Sequence, residues 1–478
     1  GSVTVLCSAL WVGGHISADG LGYDGTHELA HYDGYGLGPG SWAGGGGHGG
    51  SGGGPWGGRQ GHGGSAYGDM LSPRTWGSSG GCREQCHIWA ASGGGRVYIQ
   101  AVNVSVASGG MVSANGMSLP TDSYHSGGGA GGSVWLRAVR LFVVDGSVMA
   151  DGGDGGTYAG HNGGGGGGGG RVCIEYMEGP RWRGVVSASG GEPPWSVIGS
   201  TTRDFSTVRG GAGSVVLSRR ADASWSSPLV DAAVEFASRR DRALSVSRVS
   251  SDIGSAVADG LVVASLRVSG ATVEYSGGLI PCVDVWIVSG GSFTGGTTVL
   301  DASGTVSVVG TSSQLSVSSI VGSGEGGVVG GGEEPQPLLD VGDGGVVSGG
   351  TASGDLVIRG PSGRRCVVSP GGSLDVGAGG LSMECGTLVV EPTGVVVGGS
   401  VSLEGLWVNV SGSVSVGNRA ELNVTGTAVV IHSTGVVAGG SVTVLCSALW
   451  VGGHISADGL GYDGTHELAH YDGYGLGP

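Results

Sequence analysis

GSVTVLCSALWVGGHISADGLGYDGTHELAHYDGYGLGP runs from Gly1 to Pro39, and the same 39 residues return unchanged from Gly440 to Pro478. The chain therefore holds one unit of 439 residues followed by the opening of the next. Repetition at a fixed period is the signature of a repeat architecture and is read before any local signal. A catalytic domain has no reason to restate its beginning at its end. A fibre does, because a head-to-tail contact that does not close into a ring grows into a filament. The expectation is a segment of a polymer, built either as a tandem polyprotein or from separate subunits that stack.

Within the quoted stretch, Val3, Val5 and Cys7 alternate with Thr4, Leu6 and Ser8, and Ala18-Asp19-Gly20 follows. The same pattern returns as GRVYIQAVNVSVASGGMVSANG at 95–116, GSVWLRAVRLFVVDGSVMADG at 132–152 and GRVCIEYMEGPRWRGVVSASG at 170–190, with a further opening, GSVVLSRR, from Gly213. Each copy begins at Gly, alternates, and closes on Ala-Asp/Asn/Ser-Gly. Alternation is the period of a strand with one buried face, and Asp-Gly or Asn-Gly is turn chemistry. Two short strands and a turn per copy predict one coil of a right-handed parallel β-helix.

From 255 onward the glycine tracts thin and Val-rich strands follow one another. They open at Gly372, Gly394, Gly412 and Gly435, and the series runs through Gly440 into the next SVTVLC without a break. The predicted organisation is a glycine-rich β-helix with long loops over 1–254, compact rungs over 255–439, and the start of the next identical repeat over 440–478. About fifteen rungs spaced by about 4.8 Å predict an axial rise near 70 Å per unit. The segment 228–246 reads either as a helix opened by Ser226, Ser227 and Pro228 or as a further alternating strand.

Glycine tracts separate the early copies, the longest lying between Gly20 and Gly95 and another running from Gly163 to Gly170. Two readings stand side by side: exposed flexible loops, or extended polyproline-II-like strands packed so closely that only glycine fits.

Gly is 111 of 478 residues, Pro 15, and charged residues only 13%. All 22 basic side chains are Arg, and the net charge is −16. An acidic, Lys-free chain has no basic stripe for nucleic acid, and no apolar run reaches membrane-spanning length. Spaced Gly20-Leu-Gly-Tyr23, GGGGHGG at 44–50, AYGDMLSP at 66–73 with GSSGG at 77–81, GGGAGGSVWL at 127–136 and GGAGSVVL at 210–217 resemble a loosely defined group of large glycine-rich β-helical repeat proteins of cell surfaces and extracellular fibres. The resemblance covers roughly residues 1–220. It implies architecture and an extracellular or cell-surface location, with flagellar hairs and adhesins the nearest analogies.

Three N-x-S/T sequons, at Asn103, Asn409 and Asn423, are flanked by apolar residues, so burying those neighbours turns each Asn outward for an N-linked glycan. Cys366 and Cys385 fall at matching places in CVVSPGGSLDV and CGTLVVEPTGVVV, which predicts a disulfide between neighbouring rungs. Cys173 lies on the outward phase within reach of Cys82 or Cys86, and Cys7 on the buried phase as a free thiol. Sequons together with disulfides point outside the cell.

His27-Glu28-Leu29-Ala30-His31 has the spacing of a zinc-peptidase helix. Its setting of Asp24-Gly25 before and Gly34, Gly36, Gly38 and Pro39 after is poor for a helix, so these three residues are weak metal candidates and no catalytic residue is assigned. Calcium at Asp19, Asp24, Asp33, Asp151 or Asp154 is the one cofactor the composition leaves open, against an ordinary role for Asp-Gly in turns. His48 and His62, each set in a Gly-His-Gly string, are candidate ligands for metal or sugar. Polysaccharide-cleaving β-helices need carboxylates converging on one groove, and none is visible here. The reading is a non-enzymatic structural subunit of a glycosylated extracellular filament whose partners are identical units. The alternative is a surface adhesin whose glycine loops or aromatic residues, Trp42, Trp56, Trp76 and Trp89, bind a glycan or another cell, and a zinc peptidase built on His27-Glu28-Leu29-Ala30-His31 is the remote third reading.

Overall fold

The structure is a computed structural model that describes residues 1–26, 32–55, 61–82, 90–119, 126–158, 161–178, 184–193, 208–220, 229–237, 245–248, 263–269, 271–275, 279–322, 337–350, 354–417 and 420–457. Among these residues there is no helix; the fold is all-β and its strands pair mainly in parallel. Two compact units divide the chain: Gly1–Tyr275 with Gly290–Ser292, and Ser276–Ser289 with Phe293–Pro478. The boundary expected at 254 falls at Tyr275, and the described part of the second copy belongs to the second unit.

In the first unit each long strand is followed by a short one. β1 (Ser2–Val12) is followed by β2 (His15–Ser17), β3 (Arg96–Val106) by β4 (Met111–Ser113), and β5 (Ser133–Val144) by β6 (Ser147–Met149). After a small antiparallel pair, β7 (Thr157–Tyr158) and β8 (His161–Gly163), β9 (Arg171–Glu178) is followed by β10 (Val185–Ser187), and β11 (Ser214–Arg220) continues the long series. The long strands pair in parallel in the order β1, β3, β5, β9, β11, and the short ones in the order β2, β4, β6, β10. Alternation sends Val97, Ile99, Val134, Leu136, Val172 and Ile174 inward, all 0% exposed. Each contributes about 1.5–3 kcal/mol by burial. The Ala-Asx-Gly closures form a ladder rather than isolated turns. Ala18, Ala114 and Ala150 are fully buried. Asp19 accepts the Asn115 N–H at 2.6 Å, Asn115 accepts the Asp151 N–H at 2.8 Å, and Asp151 accepts the Ser189 N–H at 2.7 Å.

The glycine tracts are not loops. Along 164–170, successive N–H groups donate to Gly156, Ala43, Val208, Gly153, Gly46, Gly211 and Ala150. Every third residue returns to the same neighbouring segment. The segment 127–132 does the same toward Gly81 and Ser78, Gly165 and Gly168, and Met117 and Ala114. Three residues per turn is the geometry of the polyproline-II helix. Here each such segment is hydrogen-bonded to three others, forming a buried bundle. A Cβ added at Gly166, Gly167, Gly168 or Gly169 would meet a neighbour's backbone carbonyl oxygen well inside 3.0 Å, so the close approach itself demands glycine.

The resemblance string at 66–73 begins a strap, 67–76, laid across the outer face of the long strands. The Trp76 indole N–H donates to Ser2 Oγ of β1, and the Thr75 carbonyl accepts from Ser133 Oγ of β5. Arg74 lies 5.2 Å over the Trp135 ring. The Leu71 carbonyl accepts the Cys173 thiol, and the Tyr67 carbonyl accepts Arg171 of β9, whose Nη1 reaches Ser214 of β11. Met70, within the strap, is fully buried.

Beyond β11 the direction reverses. β12 (Leu229–Ala237) runs antiparallel to β11, and β13 (Ser245–Arg248), β14 (Val263–Ser269) and β15 (Ala271–Glu274) resume parallel pairing, β12 with β14 and β13 with β15. The 228–246 segment is thus strand wherever it is described, because its alternating ends pair with neighbours.

In the second unit the paired columns Leu374, Val396, Val414, Val437 and Cys366, Leu388, Val408, Val429 stack in parallel register and are almost fully buried. The steps of the first column, 22, 18 and 23 residues, reproduce the spacing of Gly372, Gly394, Gly412 and Gly435.

Candidate functional site: a repeated strand with two edges

The repeated stretch occurs once in each unit, and the two copies are paired on opposite edges. In the first unit, Ser2–Val12 pairs with Arg96–Val106: Val3 with Val97, Val5 with Ile99, Cys7 with Ala101, Leu10 with Val104 and Val12 with Val106. In the second, Ser441–Val451 pairs with Glu421–Ile431: Val442 with Leu422, Val444 with Val424, Cys446 with Gly426, Leu449 with Val429 and Val451 with Ile431. Residues facing the interior in one copy face it in the other. Pairing skips the same position in both, Ser8 in the first copy and Ser447 in the second.

The atoms used are complementary. In the first copy the carbonyls of Gly1, Val12 and Gly14 accept the N–H groups of Arg96, Ala107 and Met111 at 3.1, 3.0 and 2.8 Å. In the second copy the N–H groups of Ser441, Gly452 and His454 donate to the carbonyls of Ala420, Ile431 and Gly435 at 3.0, 2.7 and 2.9 Å. The short strand behaves alike: His15–Ser17 pairs with Met111–Ser113, and His454–Ser456 with Val436–Ala438. Among these flanking groups none is used twice, so one copy of the strand can carry both partners.

Around this site the sequence candidates are placed as follows. Val408 and Val410 are buried and Asn409 points outward; Leu422 and Val424 are buried and Asn423 points outward. At Asn103 the phase argument fails. Val102 is 46% exposed, Val104 is buried, and the half-buried Asn103 has its Oδ1 buried without a hydrogen-bond partner, as the apolar phase changes where Val102 drops out of pairing.

Cys366 and Cys385 are disulfide-bonded, with Cα atoms 6.2 Å apart. The register partner of Cys366 is Leu388, so the bridge runs diagonally to the residue just past Gly380–Glu384 and not straight across one rung. Cross-links act mainly by restricting the unfolded chain. Replacing both cysteines by alanine should lower the stability of the second unit by about 3 kcal/mol for this loop of roughly twenty residues, read as a fall in its melting temperature. Cys82 is in a disulfide, but not with Cys173, whose thiol instead meets the strap. Cys7, expected to be a buried free thiol, is free and half-buried.

His27, Glu28, His31, Trp56, Cys86 and Trp89 lie outside the described residues. Among the described ones, no group of three His, Cys, Asp or Glu side chains converges, and no helix is long and apolar enough to cross a membrane. Asp19, Asp151 and Asp154 serve as acceptors within the ladder, and Asp24 accepts Thr26. Trp42 stacks on Tyr32 at 4.3 Å, and Trp76 meets Tyr23 edge-on at 5.6 Å.

His48 is fully buried. Its Nδ1 bonds the Gly131 carbonyl and its Nε2 bonds Thr75 Oγ1, each at 2.8 Å. Burial, reinforced by the neighbouring Arg171 guanidinium, holds its pKa down at about 3. Burial likewise pushes the Tyr67 phenol above its usual range. This network pins the glycine bundle to the strap; the composition of the Gly-His-Gly string gave no sign of it. No protein family, no curated protein and no solved structure matches the chain.

Proposed function

We propose that the chain is a structural segment of a glycosylated extracellular filament, in which identical units stack head to tail through right-handed parallel β-helical coils, interrupted within each unit where β12 turns antiparallel to β11. The observation that carries this is the repeated strand, paired on one edge in one copy and on the other edge in the second, in matching register. A strand with two complementary edges joins the rung before it to the rung after it. The interior column would then run Leu422, Val3, Val97 without a polar interruption. Support for the hand comes from the outward residues, which donate their N–H groups to the preceding turn in both units, as Ser133 does to Gly95 and Ser413 to Gly394. For L-residues this puts the next turn on the side of a right-handed coil. The glycine bundle and strap stiffen such a rod. The disulfide and the outward Asn409 and Asn423 favour an extracellular, sugar-bearing surface. Trp42 and Trp76 are 40% and 37% exposed and lie against Tyr32 and Tyr23, the feature that favours the second reading, a glycan-binding adhesin.

Electron microscopy of a chain carrying the 439-residue unit twice tests this. The expected image is one unbroken rod with layer spacing of about 4.8 Å along its axis. Two separate bodies joined by a flexible junction would overturn the reading.

A further inference from the structure

We propose that Glu421 of one unit and Arg96 of the next form an ion pair across the repeated strand, and that this pair fixes the register and polarity of the junction. The inference rests on the head-to-tail reading above and names the residues that make the contact specific. Glu421 is the register partner of Ser441, and Arg96 is the register partner of Ser2, the same residue of the repeat. When one strand carries both neighbours, Glu421 and Arg96 flank a single serine on the outer face. Their Cα atoms then lie two strand spacings apart, about 9.6 Å, a span that an extended glutamate and an extended arginine bridge beside the Trp76 indole, whose N–H donates to that serine.

Each partner is available. Glu421 is exposed at the end of its strand. The Arg96 Nε is buried without a hydrogen-bond partner, and its guanidinium lies 5.8 Å over the Tyr98 ring. Arg171, two strands beyond Arg96 in the same row, is committed to Tyr67 and Ser214 and does not compete.

The other outward rows of the junction carry no charge: Asn423, Thr4, Tyr98; Thr425, Leu6, Gln100; Val430, Trp11, Ser105. Apart from the column Gly426, Cys7, Ala101, the inward columns are Val, Leu and Ile, so they favour stacking but discriminate poorly between the right partner and a slipped or self-paired one. A slip by one residue would turn the apolar set outward, but a slip by two would not. A single opposite-charge row penalises that slip, and it penalises pairing of one copy of the strand with another.

The test uses a chain carrying the unit twice, with amide hydrogen exchange read along 441–451. Glu421→Arg in the first unit, or Arg96→Glu in the second, is expected to speed exchange there about fivefold, and the two together to restore it. Glu421→Arg in the 478-residue chain, where no following Arg96 faces it, should leave those amides unchanged. Single reversals without effect, or a double reversal that fails to rescue, overturn the ion pair while the stacked junction stands. Junction amides that exchange at the rate of an unfolded chain in the unaltered tandem overturn both.

Discussion

Gly167→Ala is expected to break the glycine bundle, while Gly14→Ala leaves the first unit intact. At Gly167 the new Cβ meets the Gly129 carbonyl oxygen far inside contact distance. That oxygen is backbone, held in a segment whose own N–H groups are committed to three neighbours, so neither side can yield without breaking hydrogen bonds elsewhere. At Gly14 nothing lies within 4 Å. There the change only reduces the freedom of the unfolded chain, an effect of about 0.5 kcal/mol in favour of folding. For Gly167 we expect a loss above about 4 kcal/mol, the range reserved for steric or burial failures. Hydrogen exchange along 164–170 and 127–132 reads it: protection there should vanish in Gly167→Ala and persist in Gly14→Ala. Equal behaviour of the two variants would mean that the tracts are loops after all.

That contrast marks where the sequence was legible. Strands announce themselves by apolar alternation, and the Gly372, Gly394, Gly412 and Gly435 series foretold even the irregular steps of its column, since each turn must return one apolar residue to the same interior line. The repeated stretch foretold a junction, but not that its two copies use opposite edges, because edge choice depends on which peptide groups face which way. A glycine tract has no side chain and therefore no period, so packing and looseness look alike in it. The reversal at Arg220 was equally silent, since a strand reads the same in either direction. The change of phase at Asn103 was hidden because Val102 is apolar, like its buried neighbour Val104, yet drops out of the ladder and faces outward. Likewise the spacing of Cys366 and Cys385 suggested their pairing, but the register that makes the bridge diagonal is set by strands on either side.

The last expected result concerns acid. His48 is neutral in the fold, held by the Gly131 carbonyl and the Thr75 hydroxyl beside the Arg171 guanidinium, with its pKa near 3 against 6.5 for a free imidazole. The folded value is depressed, so the stability this site contributes is complete above pH 6.5. It is lost as pH falls toward 3, because the unfolded chain takes up a proton that the folded one refuses. Each pH unit in that window costs about 1.4 kcal/mol, so by pH 4.5 the first unit should be weaker by about 3 kcal/mol. Carboxylates titrate mostly below that pH, which leaves the interval from 6.5 to 4.5 to histidine. His48→Asn keeps a donor for Gly131 and removes the titration. Its unfolding free energy should be lower at pH 7 but nearly flat across the interval, while the unaltered chain slopes. Parallel curves would assign the acid sensitivity elsewhere. A flat profile in both would mean that the imidazole reaches water and that the pin between strap and bundle is looser than its two 2.8 Å contacts imply.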